Sequence, residues 1–137
     1  VCAVPVTENN EVVLVRQYRH AIGETILEIP GGFIDAGEDV QKAIARELLE
    51  ETGYEFTSYD YLGKIASNPG MIDNFTYLYL ARGGKKIAAQ QLDHNEEIEL
   101  LTVSLEKFRK MLQQNEIVQS LHMACAYYAF KKMDGAK

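Results

Sequence analysis

The stretch that most restricts what this chain can become runs over residues 39–54, "DVQKAIARELLEETGY". Apolar residues recur at helical spacing and Gly53 supplies a C-terminal stop, so residues 39–52 are predicted to form a helix. On a wheel of about 100° per residue, Val40, Ala43 and Ile44 fall within about 60° of Glu47, and so do Glu50 and Glu51. A helix that packs its first turns on a core therefore aims three carboxylates at the same side of the domain. They sit in its last turns, where the macrodipole is already negative. Like charges three and four residues apart repel by about 0.2–0.5 kcal/mol even in water, and shielding from solvent raises the penalty. Arg46, about 100° away on the wheel, offsets only one edge of the cluster. A divalent cation removes the conflict, because Mg²⁺ is held by oxygen ligands and keeps waters and substrate phosphates beside them. The competing reading of an arbitrary E-x-x-E-E helix is a solvated acidic face, and here the wheel weighs against it.

Around this helix the chain reads as one domain spanning residues 1–137, long enough to bury a core without staples. The strand-like runs are 1–6, 12–18, a short extended piece at 26–30 closed by Pro30 and Gly31-Gly32, the aromatic-rich 59–67 and 74–82, and 98–103. Residues 104–114, with Ser104 as N-cap, and 118–133 read as further helices. "GGKK" and the acidic "DHNEEIE" read as loops. The expectation is an α/β or α+β domain with a mixed sheet and about three helices.

Composition sets the class of partner. A net charge of −6 argues against the broad basic surface that a nucleic-acid backbone requires, although local basic pairs can still bind phosphate. No apolar run approaches a membrane span and no signal peptide is visible. Cys2 and Cys125 match no metal or redox spacing and are expected as reduced core thiols, consistent with a cytoplasmic setting. The chain opens on Val1 inside a strand-like run, so an N-terminal extension is expected to precede it.

Read outward, Gly32, Glu38, Arg46-Glu47, Leu48, Glu50-Glu51 and Gly53 fill every fixed position of G-x5-E-x7-R-E-U-x-E-E-x-G-U, where U is a bulky aliphatic residue. Only Tyr54 departs, being aromatic. The stretch resembles the Nudix box. That resemblance implies the Nudix fold, a mixed β-sheet between helices with a loop–helix–loop box. It also implies hydrolysis of a nucleoside diphosphate linked to another moiety, with Mg²⁺ (Mn²⁺ as substitute) as cofactor. By the same resemblance Glu47 and Glu51 are the main metal ligands and Glu50 an accessory one, and Gly31 offers a backbone carbonyl. Glu38 and Arg46 pair to support the box, and Gly32 and Gly53 allow its tight path. The chemistry is coherent: hydrolysing a pyrophosphate means driving water onto a crowded anion, which metal ions assist.

The flanks narrow the resemblance. "VRQYRHAIGETILEIPGG" resembles the segment before the box in ADP-ribose and other nucleoside-diphosphate-sugar pyrophosphatases, and Pro69, sixteen residues after Gly53, has a spacing associated with them. "NPGMIDN" resembles their S-P-G loop and implies substrate contacts by Pro69, Gly70 and Asn74, although Asn68 and Asn74 replace the usual Ser and Glu. "LDHNEEIE" resembles their acidic loop, with Glu96 as an additional metal ligand and His94 where a glutamate often serves as base. The base is left open among Glu50, Glu51, Glu97 and His94. Arg19 is expected on phosphate or ribose, and Glu28 either on substrate or in a strand-end salt bridge. Arg16 either joins Arg19 on phosphate or ribose or is a solvated strand-edge residue, His20 reads as surface, and His122, Met123, Tyr127 and Tyr128 as helix packing. The expected activity is cleavage of ADP-ribose or a related nucleotide sugar to a nucleoside monophosphate and a sugar phosphate. A nucleoside triphosphate pyrophosphohydrolase and a non-catalytic nucleotide-sugar sensor are the alternatives. The expected partner is a small nucleotide, with no nucleic acid and no membrane, and a homodimer follows from the resemblance alone.

Overall fold

The computed structural model describes residues 1–135. The strands are β1 (Cys2–Thr7), β2 (Glu11–Arg19), β3 (Glu24–Glu28), β4 (Tyr54–Glu55), β5 (Ser58–Ile65), β6 (Thr76–Lys86) and β7 (Ile98–Ser104). The helices are α1 (Val40–Thr52), α2 (Leu105–Gln113) and α3 (Ser120–Gly135). The sheet is mixed. β1 runs parallel to β6, from Cys2 opposite Leu78 to Thr7 opposite Gly84. β2 is antiparallel to β1, β3 and β7, and β6 is antiparallel to β4 and β5.

Alternation along the strands sends successive side chains to opposite faces. On one face Cys2, Val4, Val6, Leu78 and Leu80 join Phe108 and Met111 of α2 and Cys125, Ala126 and Ala129 of α3 in one core. On the other, Ala3, Tyr79 and Ala81 pack with Ile44 and Leu48 of α1 and with Phe56. The sheet is thus covered on both faces, which is why β1 reads as a nearly continuous apolar run. Cys2 and Cys125 are both buried and unlinked.

α1 starts on Asp39, whose side chain accepts from the Lys42 N–H at 3.1 Å. It stops at Gly53, which adopts φ 73° and donates its N–H to Leu49 O. A side chain there would also strike the Ala88 carbonyl oxygen, so glycine is demanded twice. α2 is capped by Ser104, which accepts from Lys107 N–H at 3.1 Å.

Three features depart from the sequence expectation. β6 continues through Gly83 to Lys86, because pairing with β1 and β4 overrides the weak strand propensity of the "GGKK" loop reading. β4 has only two residues, too few for any periodicity. α3 begins at Ser120 rather than Val118, and its Tyr127 and Tyr128 lie exposed instead of packing.

Leu48 carries α1 onto the sheet with no exposed surface. Leu48→Ala is expected to lower the unfolding free energy by about 2–5 kcal/mol in a urea titration, by lost burial plus a cavity.

Candidate active site

The site is built on the last turns of α1 and the Gly31–Gly32 turn that faces them. Gly32 has no side chain, and one placed there would collide with the Glu47 carboxylate. The glycine therefore opens the cradle in which Glu47 lies. Gly31 meets Glu51 through its amide, N–H to Oε2 at 3.0 Å.

Arg46 organises the rest. Its Nε and Nη2 grip Glu38 Oε1 and Oε2 at 2.9 and 3.0 Å. Nη1 donates at 3.0 Å to both Glu47 Oε1 and Glu50 Oε2, and Nη2 also reaches the Phe33 carbonyl at 3.0 Å. Glu38 in turn accepts from the Asp35 N–H at 3.0 Å, closing the loop before the helix. The Arg46 guanidinium and that amide push Glu38 down to about 2. Arg46 reaches more of the cluster than one edge, because its fork spans Glu47 and Glu50 together. It does not bond Glu51.

Burial of the glutamates is graded. Glu51 is buried, the Glu47 side chain is 13% exposed and that of Glu50 40%. Glu50 is therefore less inward than the wheel suggests, lying at the edge of the stripe where Arg46 draws it outward. Loss of water pushes Glu51 up to about 8, with the charges of Glu47 and Glu96 adding to it and the Gly31 N–H and Arg19 opposing. Glu47 is raised as well, chiefly by burial. These influences place Glu96 and Arg19 within electrostatic range of the cluster.

Each glutamate engages the protein through one oxygen. Glu47 Oε2, Glu50 Oε1 and Glu51 Oε1 make no hydrogen bond, and none of them is among the buried atoms left without a partner. Each therefore keeps some contact with solvent, Glu51 Oε1 on a side chain that is otherwise buried. These carboxylate oxygens, within one and a half turns of α1, are hard donors of the kind that suits Mg²⁺ or Mn²⁺. As placed, no three acidic, His or Cys groups among the described residues converge closely enough to cage an ion; Arg46 holds Glu47 and Glu50 in its place.

A cavity of about 490 Å³ is lined by Arg16, Tyr18, Thr25, Glu96 and Glu97 among others; Glu47, Glu50 and Glu51 do not line it, and Glu96 is what links it electrostatically to Glu47 and Glu51. Arg19, at the end of β2, is 45% exposed and anchored to Glu28 Oε2 at 2.8–2.9 Å. Glu28 itself is 1% exposed, so of its two expected roles the salt bridge is the one formed. His94 and Glu97 lie exposed in the acidic loop. Pro69, Gly70 and Asn74 lie in an exposed loop whose recorded bonds are its own, among them Met71 N–H to Asn68 O at 3.0 Å. The structure does not join these last three to the glutamates.

Sequence reasoning missed the closure of the helix end. Gln90 Nε2 donates to Glu51 O at 2.7 Å and to Ile98 O at 3.0 Å. The Gln91 N–H donates to Glu50 O at 2.8 Å. These donors satisfy carbonyls that a helix leaves open at its C-terminus and strap the acidic loop to the cluster. Two glutamines in a polar segment carry no periodic signal that could have revealed this.

The chain belongs to the Nudix domain family, whose model matches residues 1–121. Among curated relatives, the methanol dehydrogenase activator of Bacillus methanolicus is 35% identical over 129 residues, which cover 93% of this chain and 70% of that protein. ADP-ribose pyrophosphatases of Bacillus subtilis (strain 168) and Mycobacterium tuberculosis are each 30% identical, over 85% and 90% of this chain. The chain spans 64% and 61% of those two proteins. A solved structure described as that of an ADP compounds hydrolase superposes with a TM-score of 0.88 over 98% of this chain and 72% of its own, at 21% identity, a likeness of fold. The box quoted above is thus a true family signature.

Because Glu38 is depressed from the ordinary 4.5 to about 2 in the folded chain, its ion pair stabilises the fold above pH 4.5. That contribution disappears as pH falls toward 2. Melting curves of Glu38→Gln are expected to lose less between pH 4.5 and 2.5 than those of the unsubstituted chain.

Proposed function

We propose that this domain hydrolyses the pyrophosphate bond of a nucleoside diphosphate joined to a sugar, with ADP-ribose or a close analogue as substrate, giving a nucleoside monophosphate and a sugar phosphate. The observation that carries the reading is the set of three carboxylate oxygens on Glu47, Glu50 and Glu51 that no donor among the described residues takes, gathered at one helix end within electrostatic reach of Glu96, which lines a cavity of about 490 Å³. The names of the Bacillus subtilis and Mycobacterium tuberculosis relatives support the substrate class.

Glu47, Glu51 and Glu96 would hold Mg²⁺ or Mn²⁺, with Glu50 as accessory ligand. When bound, the ion neutralises phosphate charge and lowers the pKa of an attacking water. The chain's own residues supply the rest. Arg19, anchored by Glu28, receives a phosphate or ribose oxygen. Arg46 keeps the Glu47 and Glu50 carboxylates in fixed orientation. The base is assigned to Glu50, the most exposed of the three, with Glu97 and His94 as the loop residues to test against it. Pro69, Gly70 and Asn74 would contact the sugar phosphate. No helix among the described residues is long and apolar enough to cross a membrane.

A second reading, a Nudix domain that acts on a partner dehydrogenase, takes its support from the name of the Bacillus methanolicus relative. Chromatography of products separates the two. AMP and ribose 5-phosphate are expected from ADP-ribose only when Mg²⁺ or Mn²⁺ is present, and chelation should abolish them. Glu47→Gln and Glu51→Gln should each lower the rate by about a hundredfold or more. Metal-independent turnover, or none, removes the proposal.

A further inference from the structure

Three buried or half-buried groups from separate elements meet: Arg19 from the end of β2, Glu28 from the end of β3 and His122 from the first turn of α3. Arg19 places both Nε and Nη2 on a single oxygen of Glu28, Oε2. The other oxygen, Glu28 Oε1, is buried with no partner among the described residues. His122 Nδ1 is also buried with no partner, and the two atoms face each other at 3.9 Å. Helix packing alone explains neither orphan, since a buried polar atom left unpaired costs about 1–3 kcal/mol. They are complementary, and an approach of about 1 Å brings them to hydrogen-bond distance.

We infer that His122 is a positioning residue for the site: its Nδ1–H donates to Glu28 Oε1 and so fixes the carboxylate that holds Arg19 toward the substrate. Burial and the nearby Arg19 charge hold His122 down at about 3. The imidazole is neutral at working pH and has one proton to place. With that proton on Nδ1, both oxygens of Glu28 are satisfied and the carboxylate stays charged against Arg19. Without it, Glu28 can rotate about its last torsion, and Arg19, half in water, loses its fixed direction. The inference rests on the proposed nucleotide-sugar substrate, and Arg19 is the link between the buried pair and the ligand.

Two measurements decide it. Long-range proton–nitrogen NMR of the unsubstituted chain at neutral pH reads the tautomer without any substrate, and a proton on Nδ1 with a bare Nε2 is expected. The opposite tautomer, which would make Glu28 the donor, overturns the inference. Kinetics with ADP-ribose and Mg²⁺ then compare His122→Phe and His122→Asn, each alone and with Arg19→Ala. His122→Phe should raise KM about tenfold with kcat changed by less than about twofold. His122→Asn, which keeps a donor near Nδ1, should restore KM. In the Arg19→Ala background His122→Phe should change KM by less than about twofold. Equal losses in both backgrounds would show a merely structural histidine. Should His122→Phe fail to fold, the tautomer and the Asn variant still decide. Absence of turnover by the unsubstituted chain strikes the proposed function itself, whereas turnover with no His122–Arg19 coupling strikes this inference alone.

Discussion

Arg46 uses all five of its guanidinium N–H groups, two on Glu38, one each on Glu47 and Glu50, and one on the Phe33 carbonyl. Everything else at the site follows from what that fork leaves over. It fixes the loop before α1, pins the helix to the loop and takes one oxygen from each of two glutamates. It leaves Glu51 buried, with no cationic side chain among the described residues bonded to it. A buried carboxylate in that position either takes up a proton or meets a positive charge from outside the chain. The raised pKa of Glu51 is the first response, and a bound divalent ion would be the second. The cost of keeping such a group is tolerated because active sites are where folds retain strained electrostatics.

The fold makes this arrangement rigid. α1 is seated on the sheet by Ala43, Ile44 and Leu48, and its end is held by the Gly53 stop and by Gln90 and Gln91. The facing turn is held by the pairing of Cys2 with Gly31 and by the Ala3 N–H on Pro30 O at 3.2 Å. The carboxylates thus project from a packed helix toward a backbone turn anchored to the central strand. Sites built on such elements hold their geometry better than sites built on loops.

Much of this was legible in the sequence because it is local. The spacing of Val40, Ala43, Ile44, Glu47 and Glu51 lies on a single helix, so a wheel reveals that Glu51 points inward. The strand-like runs at 1–6 and 74–82 mark β1 and β6, although the continuous apolar run of β1 does not tell which of its residues meets which core face. What escaped depends on residues distant in the chain. The last residues of β6 are strand only because β1 and β4 pair with them, and the Glu28–His122 meeting brings together positions far apart along the chain. Glu50 escaped for another reason: a wheel gives direction and not depth, so a residue at the stripe's margin can lie on either side of the surface. Pro69, Gly70, Asn74 and His94 were found by likeness to other chains: the loop of the first three makes no bond to the glutamates, and the acidic loop is tied to α1 only through Gln90 and Gln91, not through His94.

If three glutamates gather at the negative end of α1 because a divalent cation belongs among them, the chain binds that cation through Glu51. Calorimetric titration of Mg²⁺ into the metal-stripped chain and into Glu51→Gln tests it directly, with no substrate involved. Saturable binding by the unsubstituted chain, weakened at least about tenfold in the variant, is the result expected. Equal binding by both chains, or none by either, would contradict it.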